Sequence, residues 1–307
     1  MHARLRAWLE LFRVPNLLTV PGDPIAGFLL ALVWTGGAST AWWRLAPAAG
    51  IALALYAFGL VHNDMSDFVE DLRQRPGRPL PSRRISVRAA GMAAFALLLL
   101  TLVLSRLIRA ETTLVIVALV VLILVYNGGL KRLPVVGPLN MGLCRAASLL
   151  IGATAASGFE AFTSPLVLAG AATTWLYIAL VTQVARTETK PTANRLALFA
   201  LPLSPLMVLV GVLASGWHRS PIFMDHSWVW LLLLLAAVAQ VELACKAVRR
   251  SGDPATVQRT IGVLIRGLIL LQAFMTALAP WPGQVFSAGL ILAFFASRSL
   301  GKRFHAS

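Results

Sequence analysis

Long runs of apolar residues, separated by short polar connections, recur from one end of the chain to the other. Runs that approach the roughly 20 residues needed to cross a bilayer core as a helix fall at residues 14–34, 45–67, 89–108, 112–130, 136–157, 164–184, 196–216, 227–247 and 260–279, with a shorter one near 288–300. The pattern predicts an all-α integral membrane protein of nine to ten transmembrane helices. A basic start, Met1-His2-Ala3-Arg4-Leu5-Arg6, leads into the first run, which Pro15, Pro21 and Pro24 interrupt. With no small-residue cleavage site in view, this start reads as an amphipathic lead-in to the first helix and not as a signal peptide.

Composition narrows the solvent. Hydrophobic residues make up 58% of the chain and charged ones 13%, with a mean hydropathy of +0.77, far from the balance of a soluble domain. The runs leave no stretch for one, so residues 1–307 are read as a single transmembrane domain. The net charge of +15 would suit nucleic acid, but the placement of the cations argues against it. Alternate connections collect Arg13, then Arg73, Arg75, Arg78, Arg83, Arg84 and Arg88, then Lys131 and Arg132, Arg186 and Lys190, and Arg249 and Arg250. The other connections keep Arg44, Arg106, Arg109 and Arg219. This is the positive-inside bias. It predicts cytoplasmic termini, a multi-pass protein of a cell inner membrane, membrane lipids as its surroundings and no nucleic-acid partner. Cys144 and Cys245 lie in or beside apolar runs, without the neighbours of a metal or redox site.

Candidate chemistry concentrates where the second run ends, at His62-Asn63-Asp64-Met65-Ser66-Asp67-Phe68-Val69-Glu70-Asp71. Asn63, Asp67 and Asp71 are spaced i, i+4, i+8, and Asp64 lies seven before Asp71, so on a continuous helix they share one broad face. Oxygen-only ligands at this spacing suit a hard divalent cation, Mg²⁺ above all. The blander alternative is a polar helix end whose acids pair with Arg73, Arg75 and Arg78. Against it, the cluster begins about a turn inside the apolar run, where unpaired carboxylates are costly and mark sites. The loop that follows, Arg78-Pro79-Leu80-Pro81-Ser82-Arg83-Arg84-Ile85-Ser86, is stiffened by proline and rich in guanidinium groups that bind phosphate oxygens bidentately.

These motifs resemble those of the UbiA superfamily of intramembrane prenyltransferases. The resemblance rests on Asn-Asp-x-x-Asp-x-x-x-Asp at 63–71, Arg-Pro-Leu-Pro-Ser at 78–82, Arg13-Val14-Pro15-Asn16 with Pro24 and Gly27, and Tyr126 with Lys131 after the fourth run. It implies a nine-helix bundle around a lipid-accessible cavity with a polar cap. There an isoprenyl diphosphate donor, held with Mg²⁺, loses diphosphate, and a lipophilic acceptor captures the isoprenyl group. Carried onto this chain, Asn63, Asp64, Asp67 and Asp71 would form the metal set, with Asp64 and Asp67 also catalytic. Arg78 and Lys131 would neutralise the departing diphosphate, and Asn16, Tyr126 and Arg145 would contact substrate. The family's second Asp-rich motif is degenerate here: Thr182-Gln183-Val184-Ala185-Arg186-Thr187-Glu188-Thr189-Lys190 keeps one acid, so Arg186 and Glu188 would take over its catalytic part. Met141-Gly142-Leu143-Cys144-Arg145 is similar to the EboC-like branch. The runner-up is a catalytically reduced relative that binds or carries an isoprenoid or lipid-like metabolite. Asp23, at a proline-flanked break in the first run, and His62 are left without an assigned role.

Overall fold

In the computed structural model, residues 3–36, 41–186, 195–219, 227–251 and 253–303 are described. Among them the regular elements are helices: α1 (Ala3–Leu11), α2 (Val14–Leu17), α3 (Gly22–Trp34), α4 (Leu45–Ser66), α5 (Phe68–Gln74), α6 (Val87–Ser105), α7 (Ala110–Gly128), α8 (Val136–Ser157), α9 (Pro165–Ala185), α10 (Arg195–Ala200), α11 (Met207–Ala214), α12 (Ser227–Ser251), α13 (Pro254–Ala277) and α14 (Gly283–Arg303), with short 3₁₀ turns between some of them. Ten spans among the described residues are long and apolar enough to cross a membrane. The nine helices implied by the resemblance are therefore exceeded by one. The short last run belongs to a 21-residue helix, α14, which packs on α13 and α2, and Ser297 Oγ donates to the Pro15 carbonyl there.

Helix ends follow local chemistry. Ser86 caps α6 by accepting from the Ala89 amide, Ser164 caps α9 by accepting from Val167 ahead of Pro165, and Asp253 caps α13 by accepting from Thr256. Hydrogen bonds from Ser251 and Thr256 hold the Asp253 carboxyl below its ordinary range. The first span is broken: α2 and α3 are separated by Leu18–Pro21, with Pro21 in the break and Pro15 and Pro24 in the first turns of α2 and α3. The seventh is broken as well, since a 3₁₀ stretch at Leu201–Leu206, with Pro202 and Pro205, joins α10 to α11.

The bundle's interior is built around α3, α8, α9 and α13, whose buried faces carry most of the core. The α3–α8 pair is the most extensive packing, followed by α8 against α9 and α4 against α6. At Gly27 a side chain would meet the Leu149 carbonyl, and at Gly152 one would meet Pro24, so these two backbones are in direct contact. Small residues permit such approach between membrane helices, where packing, not hydrophobic exclusion, joins helix to helix. By contrast α6 is largely exposed and rich in Phe95, Leu99, Leu102 and Val103, as a lipid-facing helix should be.

Alternation of the spans brings the starts of α2, α6 and α8 and the ends of α4, α7 and α9 to one end of the bundle. Cysteines placed at Gln74 and at Glu160, in a background with Cys144 and Cys245 replaced by alanine, are expected to react with an impermeant maleimide from opposite faces of sealed vesicles. Labelling from one common face would overturn this threading.

Candidate active site

The α1–α2 turn, α5 with the loop after it, the turn after α7 and the end of α9 meet at that end, and their charged groups interlock. α4 stops at Ser66 and α5 begins at Phe68, with Asp67 between them at φ −90°, ψ 2°. The single continuous helix face expected for residues 63–71 is thus corrected to two faces joined at a kink. Asn63 Nδ2 donates to Asp67 Oδ2 across this joint at 3.2 Å. Lys131, in the turn after α7, reaches both groups: its Nζ lies 3.0 Å from Asn63 Oδ1 and 2.5 Å from Asp67 Oδ1. On the other side of the joint, Arg78 donates to Asp71 Oδ2 at 2.7 Å and lies 3.9 Å from Asp64 Oδ1. Asp64 also receives Arg13 at 3.4 Å. Arg13 adopts left-handed backbone angles, φ 46° and ψ 54°. That conformation costs a residue other than glycine about 1–2 kcal/mol, and here it turns the chain between α1 and α2 at the point where the guanidinium meets Asp64.

Asp64 and Asp71 are buried, and Asp67 is partly so. Buried carboxylates need compensation, and of Arg73, Arg75 and Arg78 it is Arg78 that supplies it; Arg73 and Arg75 make no ion pair with the cluster among the described residues. The pairing alternative raised by the sequence is therefore correct for one arginine of three, with Arg13 and Lys131 arriving from distant parts of the chain.

Directly beneath this cap lies a cavity of about 200 Å³. Arg13 and Asn63 line its mouth, Tyr126, Asn127, Met141 and Cys144 its sides, and Tyr56, Arg145 and Ser148 its deeper wall, with Leu55, Leu60, Leu119 and Ile123 between. His62, left open by the sequence, sits beside the cavity: its Nδ1 is 3.0 Å from Asn127 Nδ2, and its ring packs against Phe58.

The expected site residues separate into three groups. Asn63, Asp64, Asp67, Asp71, Arg78 and Lys131 converge as one cluster, and Tyr126 and Arg145 face the cavity. Arg186 is drawn to the same end but spends its guanidinium on backbone, donating to the carbonyls of Lys131 at 2.5 Å and Arg132 at 3.0 Å. In this arrangement it holds the Lys131 turn in place. Asn16 is buried within the first span and is not on the cavity wall. Glu188 lies outside the described residues. Two contributors were not singled out as site residues by the sequence: Arg13, whose spacing from the acidic motif gives no local signal, and Asn127, adjacent to Tyr126.

Oxygen donors of this kind fit a hard cation, but they are not gathered as a ready cage: among the described residues no three His, Cys, Asp or Glu side chains stand close enough to hold an ion. Asp67 faces Lys131 while Asp64 and Asp71 share Arg78, so the carboxylates are divided between cations. A metal arriving with an anion would find acids to bind and would release cations that fit the anion.

Charged groups thus close one end of a largely apolar cavity within a helical membrane bundle. Residues 25–264 match the UbiA prenyltransferase family, and the chain belongs to that family. Among curated proteins it is similar to the digeranylgeranylglyceryl phosphate synthases of Methanococcus aeolicus, at 27% identity over 57% of this chain and 61% of the relative, and of Ignicoccus hospitalis, at 34% over 50% and 48%. The corresponding protein of Methanopyrus kandleri is 27% identical over 89% of this chain and all of the relative. For most of these relatives the match spans about half the length of each partner. Among solved structures, a UbiA homologue from Archaeoglobus fulgidus bound to GPP and Mg²⁺ superposes with a TM-score of 0.61 at 16% identity, covering 95% of this chain and 99% of that one. The apo UbiA homologue from Aeropyrum pernix K1 gives 0.63 at 18%, over 83% and 96%. The all-helical UbiA fold is shared.

Proposed function

We propose that this protein is an intramembrane prenyltransferase that moves an isoprenyl group from an isoprenyl diphosphate to a lipophilic acceptor. The observation that carries the proposal is the joining of cap and cavity: Arg13 and Asn63 belong both to the charged cluster and to the mouth of an apolar cavity. A donor with its diphosphate on Arg13, Arg78 and Lys131 would direct its hydrocarbon down between Leu60, Leu119 and Ile123. The relatives named as digeranylgeranylglyceryl phosphate synthases, and the GPP- and Mg²⁺-bound homologue, support this donor class.

Asn63, Asp64, Asp67 and Asp71 are the residues that would hold Mg²⁺. Bound with the diphosphate, the ion would polarise the leaving group. The chain's own part is to exchange partners. Lys131 and Arg78 turn from carboxylate to phosphate, and their charge-assisted hydrogen bonds stabilise the negative charge that builds as the carbon–oxygen bond breaks. The bonding electron pair leaves with the diphosphate. The acceptor atom then bonds to the isoprenyl carbon and sheds a proton. The apolar walls keep water, the competing nucleophile, from that carbon. Arg186 acts on this step through the Lys131 turn. The chain as a whole, residues 1–307, would serve as one transmembrane unit, with the cap on the cytoplasmic side of a cell inner membrane.

A reduced, non-catalytic binder remains the second reading, favoured by the division of the carboxylates among cations and by the single acid of the second motif. Purified protein in nanodiscs, given labelled geranyl or geranylgeranyl diphosphate, Mg²⁺ and a lipid extract, is expected to release diphosphate and form a labelled lipophilic product. Tight donor binding without diphosphate release from any extract would select the binder instead.

A further inference from the structure

Behind the deeper wall of the cavity lies a second polar group, separate from the ion pairs of the cap. Asp23 is fully buried at the start of α3. Arg145 Nη2 on α8 lies 3.0 Å from its Oδ2 and donates to the Thr19 carbonyl at 2.7 Å. Gln272 on α13 donates to Asp23 Oδ1 and, at 2.8 Å, to the same Thr19 carbonyl. The Ser148 hydroxyl faces Asp23 from the turn after Arg145. Arg145 also lies over the Tyr56 ring, its guanidinium carbon 5.8 Å from the centroid. Despite this crowding, Arg145 Nε, Ser148 Oγ and Gln272 Oε1 are buried and lack a hydrogen-bond partner, while Asp23 Oδ2 has only the Arg145 ion pair. Such orphans are uncommon in folded proteins and call for an occupant. Arg145 and Ser148, each more than nine-tenths buried, are also cavity lining.

Charge decides what the occupant is. Arg145 faces the cavity with a cation that Asp23 already balances, so the pair is neutral as a unit. An anionic head placed against it would leave one negative charge uncompensated in an apolar surround, which is costly. A neutral hydroxyl can accept from Arg145 and exchange a hydrogen bond with Ser148 while leaving the pair intact. We infer that Arg145, Ser148 and Tyr56 form a subsite, backed by Asp23, that anchors the neutral hydroxyl-bearing end of a lipophilic acceptor and discriminates against a carboxylate or phosphate in that place. The inference rests on the prenyltransferase reading for the word acceptor, but the subsite itself is a binding property.

Cys144 lines the same cavity and serves as the reporter, in a Cys245→Ala background. Geraniol and geranic acid share a skeleton and differ in head group. Each is titrated against modification of Cys144 by a small methanethiosulfonate reagent, with excess inorganic diphosphate and Mg²⁺ present to occupy the cap, and again without them. Geraniol is expected to protect at concentrations about tenfold lower than geranic acid, on the scale of one hydrogen bond to a charged group. Asp23→Asn strips Arg145 of its counter-charge and is expected to reverse the order. Ser148→Ala, which keeps the charge pair, is expected to weaken geraniol several-fold and leave geranic acid unchanged; this arm decides if Asp23→Asn does not fold. Equal potency in the unaltered protein, or a ratio that neither substitution moves, would overturn the subsite. If the ratio behaves as expected while no donor ever yields free diphosphate, the subsite stands and the transferase reading falls.

Discussion

Replacing Arg78 with alanine is expected to lower prenyl transfer by about a hundredfold to a thousandfold, the usual cost of removing one donor aimed at charge that develops in the transition state. The guanidinium lies between Asp71 and Asp64, and among the described residues no other ion pair reaches Asp71. Its loss has two consequences that must be told apart. One is structural: a buried carboxylate without its partner typically costs about 3–5 kcal/mol. The other, on the proposed function, is the lost contact to the leaving diphosphate. The double substitution Arg78→Ala with Asp71→Asn removes the stranded charge and is expected to recover thermal stability but not turnover. Arg78→Lys, which keeps a charge but not the planar fork, should fall between. Arg106→Ala, exposed at the far end of α6, should change neither. Turnover in the double variant no lower than in Asp71→Asn alone would mean that Arg78 serves only to neutralise Asp71.

The sequence made the spans legible because a membrane helix writes its length directly as an apolar run. The fifth run, residues 136–157, matches α8 at both ends, and the second ends one residue beyond α4. The discrepancies have local causes. α13 begins at Pro254, six residues before its apolar run, because Asp253 and Pro254 start a helix whose first turns are polar. The kink at Asp67 was not legible, since neither proline nor glycine marks it, and the expectation of one continuous acidic face failed there. The acidic cluster was visible as a site, but its partners were only partly so. Arg78 and Lys131 stand close to recognisable motifs, whereas Arg13 joins Asp64 across 51 residues of chain. Asp23 and Arg145 were each conspicuous as charges inside apolar runs, and each needed a partner. That they are each other's partner is a fact of how α3 and α8 cross, which a single sequence does not display.

That crossing sets the second large effect. A side chain larger than a methyl at Gly152 is expected to abolish the folded protein and a methyl to destabilise it strongly, because the β-carbon would run into the Pro24 backbone, and the same holds at Gly27 against Leu149. Overpacking a core against movable side chains usually costs about 1–3 kcal/mol. Here the obstacle is main chain on both sides, so no rotamer change relieves it and the helices must part. Parting them also pulls Asp23, next to Pro24, away from Arg145 and Ser148, which lie about two turns and one turn before Gly152 on α8. Two buried charges would then lose their compensation together with the packing. Gly152→Val is accordingly expected to yield no monodisperse protein in detergent, and Gly152→Ala a melting temperature well below that of the unaltered chain. Gly289→Ala, where nothing lies within 4 Å of the added carbon, serves as the comparison and should melt unchanged. A Gly152→Val protein that purifies normally and retains the Asp23-dependent preference for geraniol would show that α3 and α8 do not need this contact, and that the charge pair is positioned by other parts of the bundle.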